Sequence, residues 1–98
     1  MTQEETAKIV AVVCANYPTS FRNMPRGDLE SMIRAWSVTL GEYEYEKVSI
    51  GLMRFIKSDK NGFPPVPGQI IDKMPSRYEE MLNEAIKIDQ HNIRRLSG

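Results

Sequence analysis

The spacing of hydrophobic residues along the chain is helical nearly throughout. Apolar residues recur three and four positions apart near residues 3–16, 25–40 and 44–58, which is the period of a helix with one buried face. These stretches lack the strict alternation of a half-buried strand. The pattern therefore predicts an all-α fold, a small bundle in which three main helices form the core. In the first helix Ala7, Val10, Ala11 and Cys14 widen the apolar stripe, so most of this helix should be buried. The residues of the three stripes expected to close the core are Ile9, Val12, Val13 and Tyr17, then Leu29, Met32, Ile33, Trp36 and Leu40, then Tyr45, Val48, Leu52, Phe55 and Ile56.

Several boundaries of these helices can be predicted from single residues. Thr2 and Glu5 have the spacing of a capping box, which begins the first helix. Pro18 ends that helix, because the residue before a proline is disfavoured in the α conformation. The second helix begins somewhere between residues 23 and 28, and Gly41 stands where a glycine commonly ends a helix.

A proline-rich segment follows the third helix. Its sequence is Phe63-Pro64-Pro65-Val66-Pro67, which predicts an extended, polyproline-like entry and a rigid corner. Pro67 suits the first position of a short helix that runs to about residue 73. We expect the segment to fold back over the helical hairpin, with Phe63 as its anchor.

The last part of the chain predicts one long helix. Ser76 and Glu79 form a second capping-box pattern, from which the helix runs towards Leu96. Pro75 stands just before this cap and could uncouple the helix from the domain. The sequence thus predicts a helical domain over residues 1–73 and, over residues 74–98, a C-terminal helix that could be a mobile arm. The alternative is that this helix docks on its own bundle as a fourth core element.

The C-terminal helix carries more apolar surface than a lone solvated helix should show. Its apolar residues lie near one face, as in helices that bind a hydrophobic groove of a partner. We expect Leu82 and Ile86 to contribute most to such binding, because large aliphatic anchors usually dominate the energy. The predicted partner-binding residues are Tyr78, Met81, Leu82, Ile86, Ile93 and Leu96.

Composition limits the class of protein. Ninety-eight residues suffice for one small domain. Thirteen basic residues balance thirteen acidic ones, which argues against a protein whose main partner is nucleic acid. A single cysteine cannot form an intramolecular disulfide. The apolar run over residues 9–15 is too short to cross a bilayer, and the acidic flank before it is unlike a signal peptide. We therefore expect a cytoplasmic protein.

The candidate chemistry points away from catalysis. Cys14 and His91 have no sequence context that links them, and a small buried thiol and a solvated histidine are the simpler interpretations. The chain has no cluster with metal-ligand spacing and no glycine-rich phosphate loop. We expect no enzyme activity, no catalytic or metal-binding residues and no cofactor.

A weak nucleic-acid signal comes from two small basic groups, one of them close to an aromatic residue. Such groups usually form a solvated surface, so direct nucleic-acid contact is not the favoured interpretation. The residues that would make such a contact are Lys57, Lys60, Arg94 and Arg95.

An ordered set of motifs over about residues 2–73 resembles the replicative-helicase loader and inhibitor family of Gram-positive bacteriophages. The motifs are Tyr17-Pro18 with Phe21, Met24, the helix bearing Trp36, Tyr45-Glu46 with Val48, and Phe63-Pro64-Pro65 with Ile70. The resemblance implies an all-helical N-terminal domain and a C-terminal part that engages the hexameric replicative helicase without catalysis. It also implies action in the bacterial host. The short, capped C-terminal helix departs from the unstructured tail of that family.

Three functions follow from these interpretations. The first is a non-catalytic phage replication accessory protein that binds a replicative helicase, or its loader, and controls its loading or activity. The second is a small DNA-binding or origin-organising module that uses the basic groups. The third is a helical protein whose long last helix associates with a second copy of itself.

Overall fold

The fold is all-α, as predicted. The computed structural model describes the backbone of residues 1–97 and the side chains of residues 1–87. This part of the chain contains helices and no strand. The helices are α1 (Gln3–Asn16), α2 (Pro18–Phe21), α3 (Arg26–Leu40), α4 (Tyr45–Ser58), α5 (Pro67–Lys73) and α6 (Arg77–Ser97).

The capping box at the start of α1 is confirmed. The Glu5 backbone N–H donates to the Thr2 hydroxyl at 3.1 Å, and the Thr2 N–H donates to the Glu5 carboxylate at 2.9 Å. The same Thr2 N–H lowers the pKa of Glu5. Two donors that would have no partner within the helix are thereby satisfied.

The short helix α2 was not expected from the sequence. α1 ends before Tyr17, and Pro18 is the first residue of α2. The fixed φ of proline suits the first turn of a helix, where its missing N–H costs nothing. Pro18 therefore ends one helix and begins the next.

The core is built by α1, α3, α4 and α5. Trp36 is only 8% exposed, as the stripe in α3 predicts. In α1 the expected burial of Ile9, Val10 and Val13 is confirmed, whereas Val12 is 37% exposed. α1 contacts both α3 and α4, so its buried face is wider than one stripe. The buried apolar residues are Ile9, Val10, Val13, Tyr17, Trp36, Leu40, Val48, Leu52 and Ile70.

α4 and α5 approach each other closely at a glycine. A Cβ at Gly51 would lie 2.5 Å from the carbonyl oxygen of Ile70 and 2.9 Å from the Met74 side chain. Both Gly51 and Ile70 are buried. Only glycine allows the two backbones to come this near.

The expectation that Phe63 anchors the proline-rich segment on the bundle is wrong. Phe63 is 74% exposed, and Pro65 is the buried residue of this segment. The φ of +75° at Gly62 turns the chain just before Phe63, and the two prolines then restrict the directions it can take. The ring consequently points to solvent.

The loop that leads to this segment is closed by a tyrosine from the end of α1. The Tyr17 hydroxyl donates to the Asp59 carboxylate at 2.7 Å. The N–H groups of Asn61 and Gly62 donate to the other oxygen of Asp59. Burial, reinforced by the carboxylate, raises the pKa of Tyr17 to about 12, and the bond from Tyr17 lowers the pKa of Asp59.

The α3–α4 connection is held by the first residue of the chain. The Met1 ammonium group donates to the carbonyl oxygens of Gly41 at 2.6 Å and of Tyr43 at 2.9 Å. Gly41 ends α3 as predicted, and its φ of −60° keeps the backbone in the right-handed helical region.

Replacing Trp36 with alanine should lower the free energy of unfolding by about 3–5 kcal/mol, because a large buried ring is lost from the core. Urea unfolding followed by circular dichroism measures this change without the tryptophan signal. Val38→Ala on the exposed face of the same helix (86% exposed) is the control and should have little effect. Equal stability of the Trp36→Ala variant and the parent chain would contradict the core described above.

Replacing Gly51 with alanine should destabilise the fold by about 1–3 kcal/mol, because the added methyl group collides with the backbone of α5. Gly27→Ala in α3 is the matched control, since a Cβ there meets nothing within 4 Å and alanine favours the helix. Thermal unfolding of the two variants gives opposite signs if α4 and α5 pack as described. A stabilised Gly51→Ala variant would show that they do not.

Candidate partner-binding helix

The long helix α6 begins at a serine cap directly after a proline. The Glu79 N–H donates to the Ser76 hydroxyl at 3.1 Å, and the Glu80 N–H donates to the Ser76 carbonyl at 3.0 Å. Met74 before Pro75 is extended, as residues before a proline usually are. Pro75 and Ser76 therefore determine where α6 begins, through contacts with residues at most four positions away.

Two ion pairs connect the first turn of α6 to α4. The Arg54 guanidinium lies 2.8 Å from the Glu79 carboxylate, and the Lys47 ammonium lies 2.9 Å from the Glu80 carboxylate. Arg54 also donates to the Lys73 carbonyl at 3.2 Å. Arg54 thus contacts both the end of α5 and the start of α6. These pairs are partly exposed, so each contributes little stability and is weakened by salt.

The two ion pairs shift the pKa values of Glu79 and Lys47. The Arg54 guanidinium, followed by the Ser76 N–H, lowers the pKa of Glu79. The bond to Glu80, with Glu44 adding to it, raises the pKa of Lys47. Each shift favours the charged form, so the pairs are present at neutral pH.

The face of α6 that points towards α4 is polar. A shallow groove of about 460 Å³ separates α6 from α4, and its wall on the α6 side is polar. Successive helical residues are rotated by about 100°, so the apolar positions lie on the opposite side of the helix. The α6 residues that line the groove are Glu80, Asn83, Glu84 and Lys87.

The predicted partner-binding residues within the described side chains share the outward face. Tyr78 is 70% exposed, Met81 64%, Leu82 45% and Ile86 51%. None of the four belongs to the core cluster, so over these residues α6 is not a fourth core element. We call this set of four residues the apolar stripe of α6. Ile93 and Leu96, also predicted, lie outside the described side chains.

The predicted nucleic-acid residues are only partly brought together. Lys57 in the last turn of α4 is exposed, whereas Lys60 in the following loop lines a depression. Arg94 and Arg95 lie outside the described side chains. The structure instead places Lys73 of α5 on the same depression as Lys60 and the exposed Phe63. Sequence spacing could not show this, because Lys73 follows Lys60 only after the turn at the two prolines.

Other chemistry has little support among the described residues. No group of three His, Cys, Asp or Glu side chains in this part of the chain could hold a metal ion. Cys14 is half-buried rather than fully buried, and desolvation raises the pKa of its thiol, which disfavours the reactive thiolate. Among the helices described, none is long and apolar enough to cross a membrane.

One comparison with known proteins gives a match. A family model for the N-terminal domain of a phage helicase-loader and inhibitor protein matches residues 1–71. The match covers α1 to α4 and most of α5, and it ends before α6. Searches of curated proteins and of solved structures gave no match.

The attachment of α6 should depend on pH through Glu79. Because the pKa of Glu79 in the folded protein lies below its ordinary value of 4.5, its pairing is fully present above that pH. It is lost as the pH falls through the lowered pKa. We expect hydrogen exchange at residues 78–82 to accelerate over this acidic range, relative to the intrinsic rates, while the core amides stay protected.

The Glu79→Gln variant should show the faster exchange at neutral pH as well. Glu84→Gln, which removes the same charge from the next turn of α6, should not. If both variants exchange like the parent chain, the ion pair with Arg54 does not hold the first turn of α6.

Proposed function

This chain belongs to the family of phage helicase loaders and inhibitors, through their N-terminal domain, and we propose that it binds a replicative helicase through α6. In this proposal it is a non-catalytic accessory protein of phage DNA replication. It controls the loading or the activity of the helicase in the host cytoplasm. The binding partner could also be a loader protein bound to that helicase, which the experiment below separates.

The exposure of the apolar stripe of α6 is the observation that supports this proposal most. Four large apolar side chains within three helical turns remain between 45% and 70% exposed. Leaving such side chains in water forgoes about 1.5–3 kcal/mol for each one that a partner could bury. Tyr78, Met81 and Leu82 have the i, i+3 and i+4 spacing of anchors laid into a hydrophobic groove, and Ile86 follows one turn after Leu82.

The domain gives a second reason to assign binding to α6. Over the described side chains, none from residues 77–87 of α6 belongs to the core that α1, α3, α4 and α5 form. The family match also ends at residue 71, so α6 is not needed to account for the domain. The described part of α6, which the core does not include, is therefore available to a partner.

The ion pairs of Arg54 and Lys47 fit a binding role as well. They join the start of α6 to α4, and the apolar stripe lies on the side of α6 opposite the polar groove. A helix that is already formed and oriented loses less conformational freedom when it binds. The two pairs thus prepare the stripe for a partner.

The proposal predicts that a negative charge placed on the apolar stripe strongly weakens helicase binding. Leu82→Asp and Ile86→Asp should each weaken binding of the purified host helicase hexamer by at least about 30-fold, because a buried carboxylate without a partner is costly. Isothermal titration calorimetry with the full chain measures this. Asn83→Asp is the matched control, since it adds the same charge on the groove side of α6, and it should bind normally.

Two outcomes would contradict the proposal. If both aspartate variants bind the helicase like the parent chain while the domain stays folded, α6 is not the binding element. If the parent chain binds no helicase hexamer with or without nucleotide, but binds a purified loader, the helicase itself is not the direct partner. Sedimentation at several concentrations shows whether the stripe instead pairs two copies of the chain.

A further inference from the structure

A second exposed feature lies away from α6, where α4 ends and α5 begins. Phe63 is 74% exposed on the wall of a depression of about 590 Å³. The same depression is lined by Lys60 from the loop and Lys73 from α5. Neither lysine forms an ion pair with another described residue. An exposed aromatic ring and two available cations therefore share one concave surface.

The position of the Phe63 ring is set by rigid neighbours. Gly62, at a φ of +75°, turns the chain before it. Pro64 and Pro65 follow, and Pro65 is buried, which fixes the backbone to the bundle. The aromatic side chain is thus presented on a restrained backbone, so that binding a ligand through it costs little further ordering.

The local charge favours an anion. The acidic residue of this depression is Asp59, and both of its oxygens already accept hydrogen bonds from Tyr17, Asn61 and Gly62. Lys57 adds a further exposed positive charge in the last turn of α4. By contrast, a group of acidic residues stands at the other end of α4, about 20 Å away for a helix of its 14 residues. They are Glu42, Glu44 and Glu46.

The net charge of zero does not reveal that positive and negative charges lie at opposite ends of α4. Basic and acidic residues cancel in number, but lysines gather beyond one end of α4 and glutamates at the other. A weak, local anion site is compatible with such a distribution, although a protein that wraps long nucleic acid is not.

We propose that this depression binds single-stranded nucleic acid, with one base stacked on Phe63 and the flanking phosphates paired with Lys60 and Lys73. Aromatic stacking combined with backbone contacts to cations is how proteins hold unpaired strands without reading their sequence. A base that is free of its duplex partner can offer its whole face to such a ring. This site is separate from α6 and does not depend on the proposed binding of a helicase.

Fluorescence anisotropy of a labelled oligothymidylate of roughly 15 nucleotides, within the range of known single-strand sites, tests the proposal on the full chain. Phe63→Ala should weaken binding at least about fivefold, the low end of what stacking one base contributes. Phe63→Trp should keep it. Because the side chain is exposed, both variants should fold, and circular dichroism and thermal unfolding check this.

The lysines are tested through the dependence of binding on salt. Lys60→Gln combined with Lys73→Gln should lower the slope of log affinity against log salt by about 1.4, or about 0.7 for each lost phosphate contact. Lys8→Gln combined with Val38→Ala changes an exposed lysine and an exposed apolar residue elsewhere, and should bind like the parent chain.

Three results would overturn the proposal. One is the absence of oligothymidylate binding at about 50 mM salt, where phosphate contacts are strong. Another is equal binding by the parent chain and the Phe63→Ala variant. The third is Phe63-dependent binding of an acidic peptide of alternating Glu and Leu without binding of the oligonucleotide, which would assign the depression to a protein partner.

Discussion

The close contact of α5 with α4 at Gly51 is the constraint on which the second half of the structure depends. Because no side chain stands between the helices, the buried Ile70 completes the core and the end of α5 lies beside Arg54. Only Met74, Pro75 and Ser76 connect α5 to α6, so the first turn of α6 lies close to the end of α5. The ion pairs of Arg54 and Lys47 can form because this connection is short. The apolar stripe lies on the side of α6 opposite the groove that faces α4.

The helices themselves could be predicted almost completely from the sequence. Their spacing of apolar residues is regular, and caps such as Thr2 act on the backbone a few residues away. Such local effects do not need the fold to be known. The residues that the prediction misplaced depend on packing between distant parts of the chain. Val12 is 37% exposed although it belongs to the predicted stripe of α1, and Phe63 is exposed whereas Pro65 is the buried residue of its segment.

In the candidate site, too, one part could be predicted from spacing along the chain and another part depends on packing between distant residues. Tyr78, Met81, Leu82 and Ile86 could be chosen from spacing alone, because they belong to one helix. Whether they would face the bundle or the solvent could not be predicted, since that depends on how α6 lies against α4, and two residues that pair between these helices are 25 positions apart. The depression at Phe63 could not be predicted from the sequence for a similar reason. Lys60 and Lys73 line it together only because the chain turns between them.

The central claim is that α6 presents its apolar stripe to the helicase while the bundle keeps its own core. The most direct measurement is a nuclear magnetic resonance titration of the labelled full chain with the helicase hexamer. The account predicts that the signals of residues 78–87 shift or broaden first, while those of the core residues of α1 and α4 change only by the uniform broadening of a larger particle. Perturbation confined to the surface of α1 or α3, with the signals of residues 78–87 unchanged, would contradict it.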